Sequence, residues 1–293
     1  MPLTISDLHL PVSADDAELV ARIAALCGVR ESDVLSVRML RRAIDARKKQ
    51  DVHFNIHAVV TLGDAAKERR LLERHAAHIE AYDPPTQPPL TSGTAPLNGR
   101  VIVAGLGPAG LFCALRLAEQ GYAPLVLERG EPVERRVLRV EAYWNGGALD
   151  ENTNVMFGEG GAGTFSDGKL TSRSKDGRQG RVLETLARFG APEEILYDAK
   201  PHIGTDKLRA VVSAMRREIE RLGGEVCIST KLAGVERRDG QIRAVRVTDA
   251  QGERTIPCGA LVLAVGQGAR DTVRMLFNAG VPMEKKPLLP VSA

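Results

Sequence analysis

Residues Arg100 to Arg136, RVIVAGLGPAGLFCALRLAEQGYAPLVLERGEPVERR, leave this chain few folds to choose from. Val101, Ile102 and Val103 form the short β-branched run that a buried parallel strand requires. The run turns at once into Gly105-Leu106-Gly107-Pro108-Ala109-Gly110, a G-x-G-x-x-G. Leu111, Ala114, Leu115 and Ala118 then recur at helical spacing, so the following helix has one apolar face. Gly121 ends that helix, and Pro124 to Leu127 read as a second strand closing in Glu128. Each part has a mechanical task. Gly105 permits the tight turn, Gly107 lets backbone amides approach a pyrophosphate, and Gly110 lets helix and strand pack closely. The helix start offers unpaired N–H groups and a positive dipole end. Glu128 stands eighteen residues beyond Gly110, where a carboxylate accepts hydrogen bonds from an adenosine ribose. A lone glycine motif is weak, but strand, glycines, helix, strand and acid in register point to dinucleotide binding.

At 293 residues the chain holds one large or two modest domains. Its net charge of +3 provides no bulk field toward nucleic acid or membrane. Cys27, Cys113, Cys227 and Cys258 are scattered without paired spacing, which suits reduced thiols in a cytoplasmic protein better than a disulfide framework. The N-terminal MPLTISDLHLPVSADD lacks a basic n-region and an apolar h-region, so no signal peptide is expected. The longest apolar stretch, Val101 to Ala118, carries glycines and Arg116 and does not suit a membrane span.

Ahead of the glycine motif, residues 1–82 read as a domain of their own. Ile5–Val12 is expected to be a strand, Ala14–Cys27 a helix ended by Gly28, and Val34–Lys48 and Asp51–Leu62 two strands. Asp64–His75 follows as a helix and Ile79–Tyr82 as a last strand. That β-α-β-β-α-β order predicts a small ferredoxin-like α+β domain. Arg38, Arg41, Arg42, Arg47, Lys48 and Lys49 cluster here and could grip RNA. Residues 1–80, however, hold 12 Lys+Arg and 12 Asp+Glu, so no nucleic-acid partner is expected. His53 and His57 share a strand face, and His75 and His78 a helix face; without a cysteine or clear carboxylate partner they predict no metal site. Asp83–Gly99, DPPTQPPLTSGTAPLNG, is a proline-stiffened linker to residues 100–293.

Beyond Glu128, Arg129 and the helix start at Arg135 and Arg136 either balance pyrophosphate charge or are solvated ends. Phe157–Leu170, FGEGGAGTFSDGKL, is too rich in glycine for helix or strand and lets backbone approach a ligand. Ser166, Asp167 and Lys169 are its reactive side chains. Helices are expected at Arg181–Phe189 and Asp206–Leu222, and one strand at Glu225–Val235, leading to an Asp239-Gly240 hairpin turn. Two further strands, Ile242–Asp249 and Glu253–Cys258, continue an antiparallel layer. Ala260–Gly268, ALVLAVGQG, lacks a third glycine and reads as a return strand of the first site. Leu276–Ala293 trails off without another strand–helix unit.

Arg100–Arg136 resembles the FAD-binding N-terminus of the glutathione-reductase-type flavoproteins, in the branch with an extended G-x-G-x-x-G…E-R-G signature. Phe157–Leu170 together with HIGTDKL (His202–Leu208) resembles a bacterial family of FAD-dependent dehydrogenases that carries a small domain ahead of its FAD fold. The similarity covers roughly residues 30–285, and FGEGGAGTFSDGKL is its most specific part. The resemblance implies a Rossmann-like FAD/NAD(P)-binding α/β domain. In it, Gly105, Gly107, Pro108, Ala109 and Gly110 hold the pyrophosphate and Glu128 the ribose. Arg129 follows in the E-R-G context, and Leu232 falls where such folds read adenine. Ala264, Val265 and Gly266 pass beneath the nucleotide, while Gly160, Gly161, Gly163 and Thr164 lie near the flavin or pyrophosphate. Members of the family continue past the point where this sequence ends, which implies a C-terminally truncated product.

The expected function is therefore that of an FAD-dependent oxidoreductase, with NAD(P)H admitted as electron donor. No cysteine pair stands in for a redox disulfide. No catalytic base is assigned; His202 and Asp167 are the candidates, against ordinary turn and capping roles. Three other readings stay open: a flavin-dependent RNA-modifying protein, a non-catalytic flavin-binding remnant, and an NAD-only binder.

Overall fold

The computed structural model describes residues 1–74, 77–84, 93–166, 168–171 and 176–284. They divide into two compact units, Met1–Leu90 with Lys169–Ile203, and Thr91–Gly168 with Gly204–Ala293. The architecture is mixed α/β, with one parallel sheet and two antiparallel ones.

The first unit begins β1 (Leu3–Pro11), α1 (Asp16–Cys27), β2 (Val34–Asp45), β3 (His53–Leu62), α2 (Ala65–Glu73) and β4 (Ile79–Ala81). Its strands lie in the order β2-β3-β1-β4, each neighbour antiparallel. Strand β1 buries Leu3 and Ile5, then Leu8 and Leu10, a change of parity that a regular strand forbids. A register shift between Ile5 and Leu8 makes the change, with Asp7 at a φ of 53°. The extra residue returns the apolar set to one face. Those residues pack with Ile56, Ala58, Val60 and Leu62 of β3 and Leu19 and Ile23 of α1. Asp15 caps α1 by accepting from the Glu18 amide at 2.9 Å, and Gly28 ends it in the left-handed region at a φ of 63°. Strand β2 stops at Asp45, three residues short of the expected Lys48, because Arg47 folds back to pair with Asp45. His75 lies outside the described residues, as do residues 85–92 of the proline-rich stretch.

The second unit opens with β5 (Val101–Ala104), α3 (Pro108–Glu119), β6 (Leu125–Leu127) and α4 (Val133–Trp144). Helix α5 (Gln179–Arg188) follows in the chain but belongs to the first unit. Its segment is tied there by a parallel bridge to the β2 edge: the Arg42 amide donates to Tyr197 O at 2.7 Å, and the Ala199 amide to Arg42 O at 2.9 Å. The Arg42 guanidinium also forks onto Asp198 at 2.8 and 3.2 Å. The second unit then resumes with α6 (Thr205–Arg221), β7 (Glu225–Cys227), β8 (Lys231–Arg238), β9 (Gln241–Asp249), β10 (Gly252–Pro257), β11 (Ala260–Leu263) and α7 (Arg270–Asn278).

Its parallel sheet runs β11-β5-β6-β7 and its antiparallel sheet β10-β9-β8. Ile102, Ala104, Leu125 and Leu127 of the first pack against Leu232, Val245 and Val247 of the second. The single strand expected over Glu225–Val235 is thus two. The chain breaks at Ser229, whose φ is 53°, so that β7 pairs with β6 while β8 joins the other sheet. Helix α7 is a further element, unexpected because its two arginines and nine residues carry a weak periodic signal; it buries Thr272 and Leu276. Among the described residues, no helix is long and apolar enough to cross a membrane.

Candidate functional site

A cleft of about 470 Å³ opens where the chain leaves β5, β6 and β11, the position at which open parallel sheets receive ligands. The glycine turn forms one wall. Gly105 adopts a φ of 101°, and a Cβ there would lie 2.8 Å from the Ala264 carbonyl carbon. A Cβ on Gly110 would lie 2.9 Å from the Gly105 carbonyl carbon, so neither position admits a side chain. Helix α3 starts at Pro108 with Gly107 before it, and no side chain caps its N-terminus. Its first-turn amides are left to whatever enters the cleft.

Glu128 is buried at the end of β6, and its carboxylate is engaged with backbone. Oε2 accepts from the Leu106 amide at 2.8 Å; Oε1 accepts from the amides of Gly130 at 2.9 Å and Gly158 at 3.1 Å. One side chain therefore ties the glycine turn, its own strand end and the glycine-rich loop together. Arg129 lines the cleft with its guanidinium 4.3 Å above the Phe157 ring. It donates to Asp271 at 3.1 and 3.2 Å and to the Thr272 hydroxyl at 2.9 Å, both in the first turn of α7. Lys231 Nζ reaches the same Asp271 at 2.6 Å. Burial works against ionising Asp271, but hydrogen bonds from Lys231 and Arg129 outweigh it and hold the carboxyl well below the usual range.

Arg136 is not part of the cleft lining and does not reach solvent: it is fully buried beneath the glycine-rich loop. Burial lowers its guanidinium to about 10, against the opposing pull of Glu128 and Glu159. Glu159, also fully buried, accepts from the Val133 amide at the start of α4 at 2.8 Å and from Arg216 Nε of α6 at 2.7 Å. Burial pushes the Glu159 carboxyl up, and the Val133 amide and Arg216 pull the other way.

Of the residues expected to bind a cofactor, Gly105, Gly107, Pro108, Ala109, Glu128, Arg129, Gly161, Leu232, Ala264, Val265 and Gly266 come together around this cleft. Gly110, Gly160, Gly163 and Thr164 are not among its lining. Gly110 lies under the turn, and the Gly160 amide donates to Leu106 O at 2.8 Å. Gly163 is in a short 3₁₀ turn, Ala162–Phe165, and the buried Thr164 hydroxyl donates to Glu159 O at 3.3 Å. Met156, Phe157, Thr230, Gln267 and Thr272 also line the cleft without having been named as cofactor-binding residues. Phe157 and Gln267 were legible as immediate neighbours of glycine strings; Thr230 and Thr272 carried no local signal.

His202 is exposed in the first unit, bridged to Lys169, and is not part of the cleft lining. Asp167 lies outside the described residues. The Ser166 hydroxyl donates to Gly163 O at 2.9 Å. The basic cluster of the first unit is partly paired internally: Arg42 with Asp198, Arg47 with Asp45, and Arg38 above the Tyr82 ring. Among the described residues, no group of three or more His, Cys, Asp or Glu side chains could hold a metal ion.

A family described as a domain of unknown function (DUF8436) matches residues 1–61. A Clostridium beijerinckii protein described as uncharacterized is 42% identical over 287 residues, which are 98% of this chain and 52% of that protein. The chain thus spans about half the length of that relative. Among solved structures, THI4 of Thermovibrio ammonificans aligns at a TM-score of 0.42 and 17% identity, over 64% of each chain. Aklavinone-11 hydroxylase, in ternary complex with FAD and aklavinone, aligns at a TM-score of 0.33 and 18% identity, over 62% of this chain and 36% of that one. Likeness this slight bears on neither fold nor chemistry.

Proposed function

We propose that the chain is an FAD-dependent oxidoreductase of the dehydrogenase type, with the dinucleotide held in the cleft of the second unit. The observation that carries this is the uncapped N-terminus of α3 beside a turn that admits no side chain at Gly105 or Gly110, with Glu128 at the adjoining strand end. The donor set suits an anionic, ribose-bearing ligand. The amides following Gly107 would hold the pyrophosphate, and Glu128 Oε2, which serves one amide and keeps a second lone pair, would accept a ribose hydroxyl beside the Leu106 amide. Arg129, Thr230 and Leu232 would enclose the adenosine end. Gly161, Ala264, Val265 and Gly266 would line the remainder, with Gly110, Gly160, Gly163 and Thr164 acting from behind the wall. When bound, FAD supplies hydride chemistry, and the protein's part is to orient it and keep water out.

In this proposal the second unit is a Rossmann-like domain and NAD(P)H is the electron donor. The first is a ferredoxin-like domain of residues 1–82, supported by its β-α-β-β-α-β order and antiparallel β2-β3-β1-β4 sheet. A linker over 83–99 leads to the flavin domain at 100–293, from which residues 169–203 are grouped with the first unit. Four free cysteines support a reducing, cytoplasmic setting.

The test is an absorption spectrum of the purified chain, with cofactor released by denaturation and compared with FAD, FMN and NAD standards. A flavin band and released FAD are expected. A colourless protein that also fails to take up added FAD refutes the proposal.

A further inference from the structure

The guanidinium of Arg136, in the first turn of α4, is enclosed by backbone. Nε donates to Asn154 O at 2.9 Å and Nη2 to Val155 O at 2.9 Å. Nη1 reaches Glu159 O at 2.7 Å, Gly161 O at 2.9 Å and Gly158 O at 3.3 Å, with the Thr164 hydroxyl at 3.4 Å. The Phe165 ring covers it, 4.8 Å from Cζ. Five carbonyls of one loop thus converge on one side chain. A guanidinium is the one protein group with five N–H donors in a rigid plane. The loop is shaped around it: Gly158 adopts a φ of 121°, and a Cβ there would lie 2.7 Å from Arg136 Nε.

The outer side of the same loop meets the cleft. Gly161 and Ala162 line it, and a Cβ on Gly161 would lie 3.1 Å from the Gly107 Cα. The Gly158 amide is turned to Glu128 at 3.1 Å, and the Gly160 amide to Leu106 O at 2.8 Å. Carbonyls point inward to the arginine, so the loop's opposite edge is held against the glycine turn. Loops of this glycine content ordinarily pay for ordering when a ligand arrives. Here the ordering is done beforehand by a buried cation.

We infer that Arg136 is the positioning residue of the cofactor cleft: it touches no ligand, and it presets the Asn154–Phe165 loop against the glycine turn so that the dinucleotide meets a finished wall. The inference rests on the flavin reading of the cleft for its consequence, and on the loop alone for its mechanism; the test separates the two.

Hydrogen exchange of flavin-free wild type and Arg136→Lys tests the clamp. Lysine keeps the charge but supplies three donors from one point. Protection is expected to fall over residues 154–165 while α3 and β5 keep theirs; unchanged loop protection overturns the inference. FAD titration tests the consequence. The Kd is expected to rise by about tenfold or more in Arg136→Lys and further in Arg136→Ala, as lost preorganisation is paid at binding. Methylguanidinium should restore affinity to Arg136→Ala and leave wild type unchanged. A lowered melting temperature with an unchanged Kd, or a raised Kd that methylguanidinium does not restore, assigns Arg136 a purely structural role and overturns the inference. Should Arg136→Ala fail to fold, Gly158→Ala replaces it, with the same rise in Kd expected and an unchanged Kd counting against. A wild-type chain without affinity for FAD refutes the proposed function, and the exchange experiment still decides the clamp.

Discussion

Replacing Glu128 by glutamine should do more damage than an isosteric change at a strand end suggests. Its carboxylate serves three amides, those of Leu106, Gly130 and Gly158, at 2.8, 2.9 and 3.1 Å. Glutamine has one acceptor oxygen and one NH₂. With its oxygen on the Gly130 and Gly158 side, its NH₂ confronts the Leu106 N–H, donor against donor. That removes one charge-assisted bond, about 1.5–3 kcal/mol, and strands a buried donor for about 1–3 kcal/mol more. Burying a neutral amide in place of a carboxylate offsets part of this, leaving a net loss of about 3 kcal/mol. The sole tryptophan, Trp144 in α4, lies in the same unit and reports its unfolding directly. For a unit of this size the loss corresponds to a thermal midpoint lower by about 6–12 °C. Urea titration followed by Trp144 fluorescence measures it. A loss below about 1 kcal/mol would refute the reasoning, because the three amides would then not depend on the charge.

Asp271 makes a second, pH-dependent prediction. Its folded-state carboxyl lies below its unfolded value of about 3.9, so its contribution is complete above that pH and is lost as pH falls through the folded value. Asp271→Asn should therefore flatten the acid limb of the stability profile below about pH 4. An acid limb as steep as wild type counts against the Arg129–Asp271–Lys231 cluster. Arg42→Ala removes an ion pair with Asp198 in which each side chain is about one-third exposed, and with it cover from the Phe54 and Tyr197 rings. About 1 kcal/mol should be lost, and protease should cut residues 169–203 sooner; unchanged cleavage would mean the segment is held by other contacts.

Much of the site was legible because its chemistry is local. The backbone needs of Gly105 and Gly110 follow from a turn six residues long, and the strand and helix on either side follow from period. Glu128 was legible as a position, but its backbone partners were not. It was expected to face a ribose, and it first serves three amides from residues 22, 2 and 30 positions away. Arg136 shows the same limit more sharply. As the second of two arginines at a helix start it has the sequence signature of a solvated end, yet it is fully buried. Only the fold brings a loop twenty residues downstream to wrap it.

The amino-acid sequence alone determined where the chain turns, which stretches alternate as strand or repeat as helix, and where no side chain can stand. Those properties depend on sterics and hydrophobic period over a few neighbouring residues. Tertiary structure decided the rest. It split Glu225–Val235 between two sheets, assigned residues 169–203 to the first unit, and converted Arg136 from surface charge to loop clamp. Each of these is a contest between desolvating a group and satisfying it with partners distant in the chain, and the winner is set by what the assembled fold places alongside.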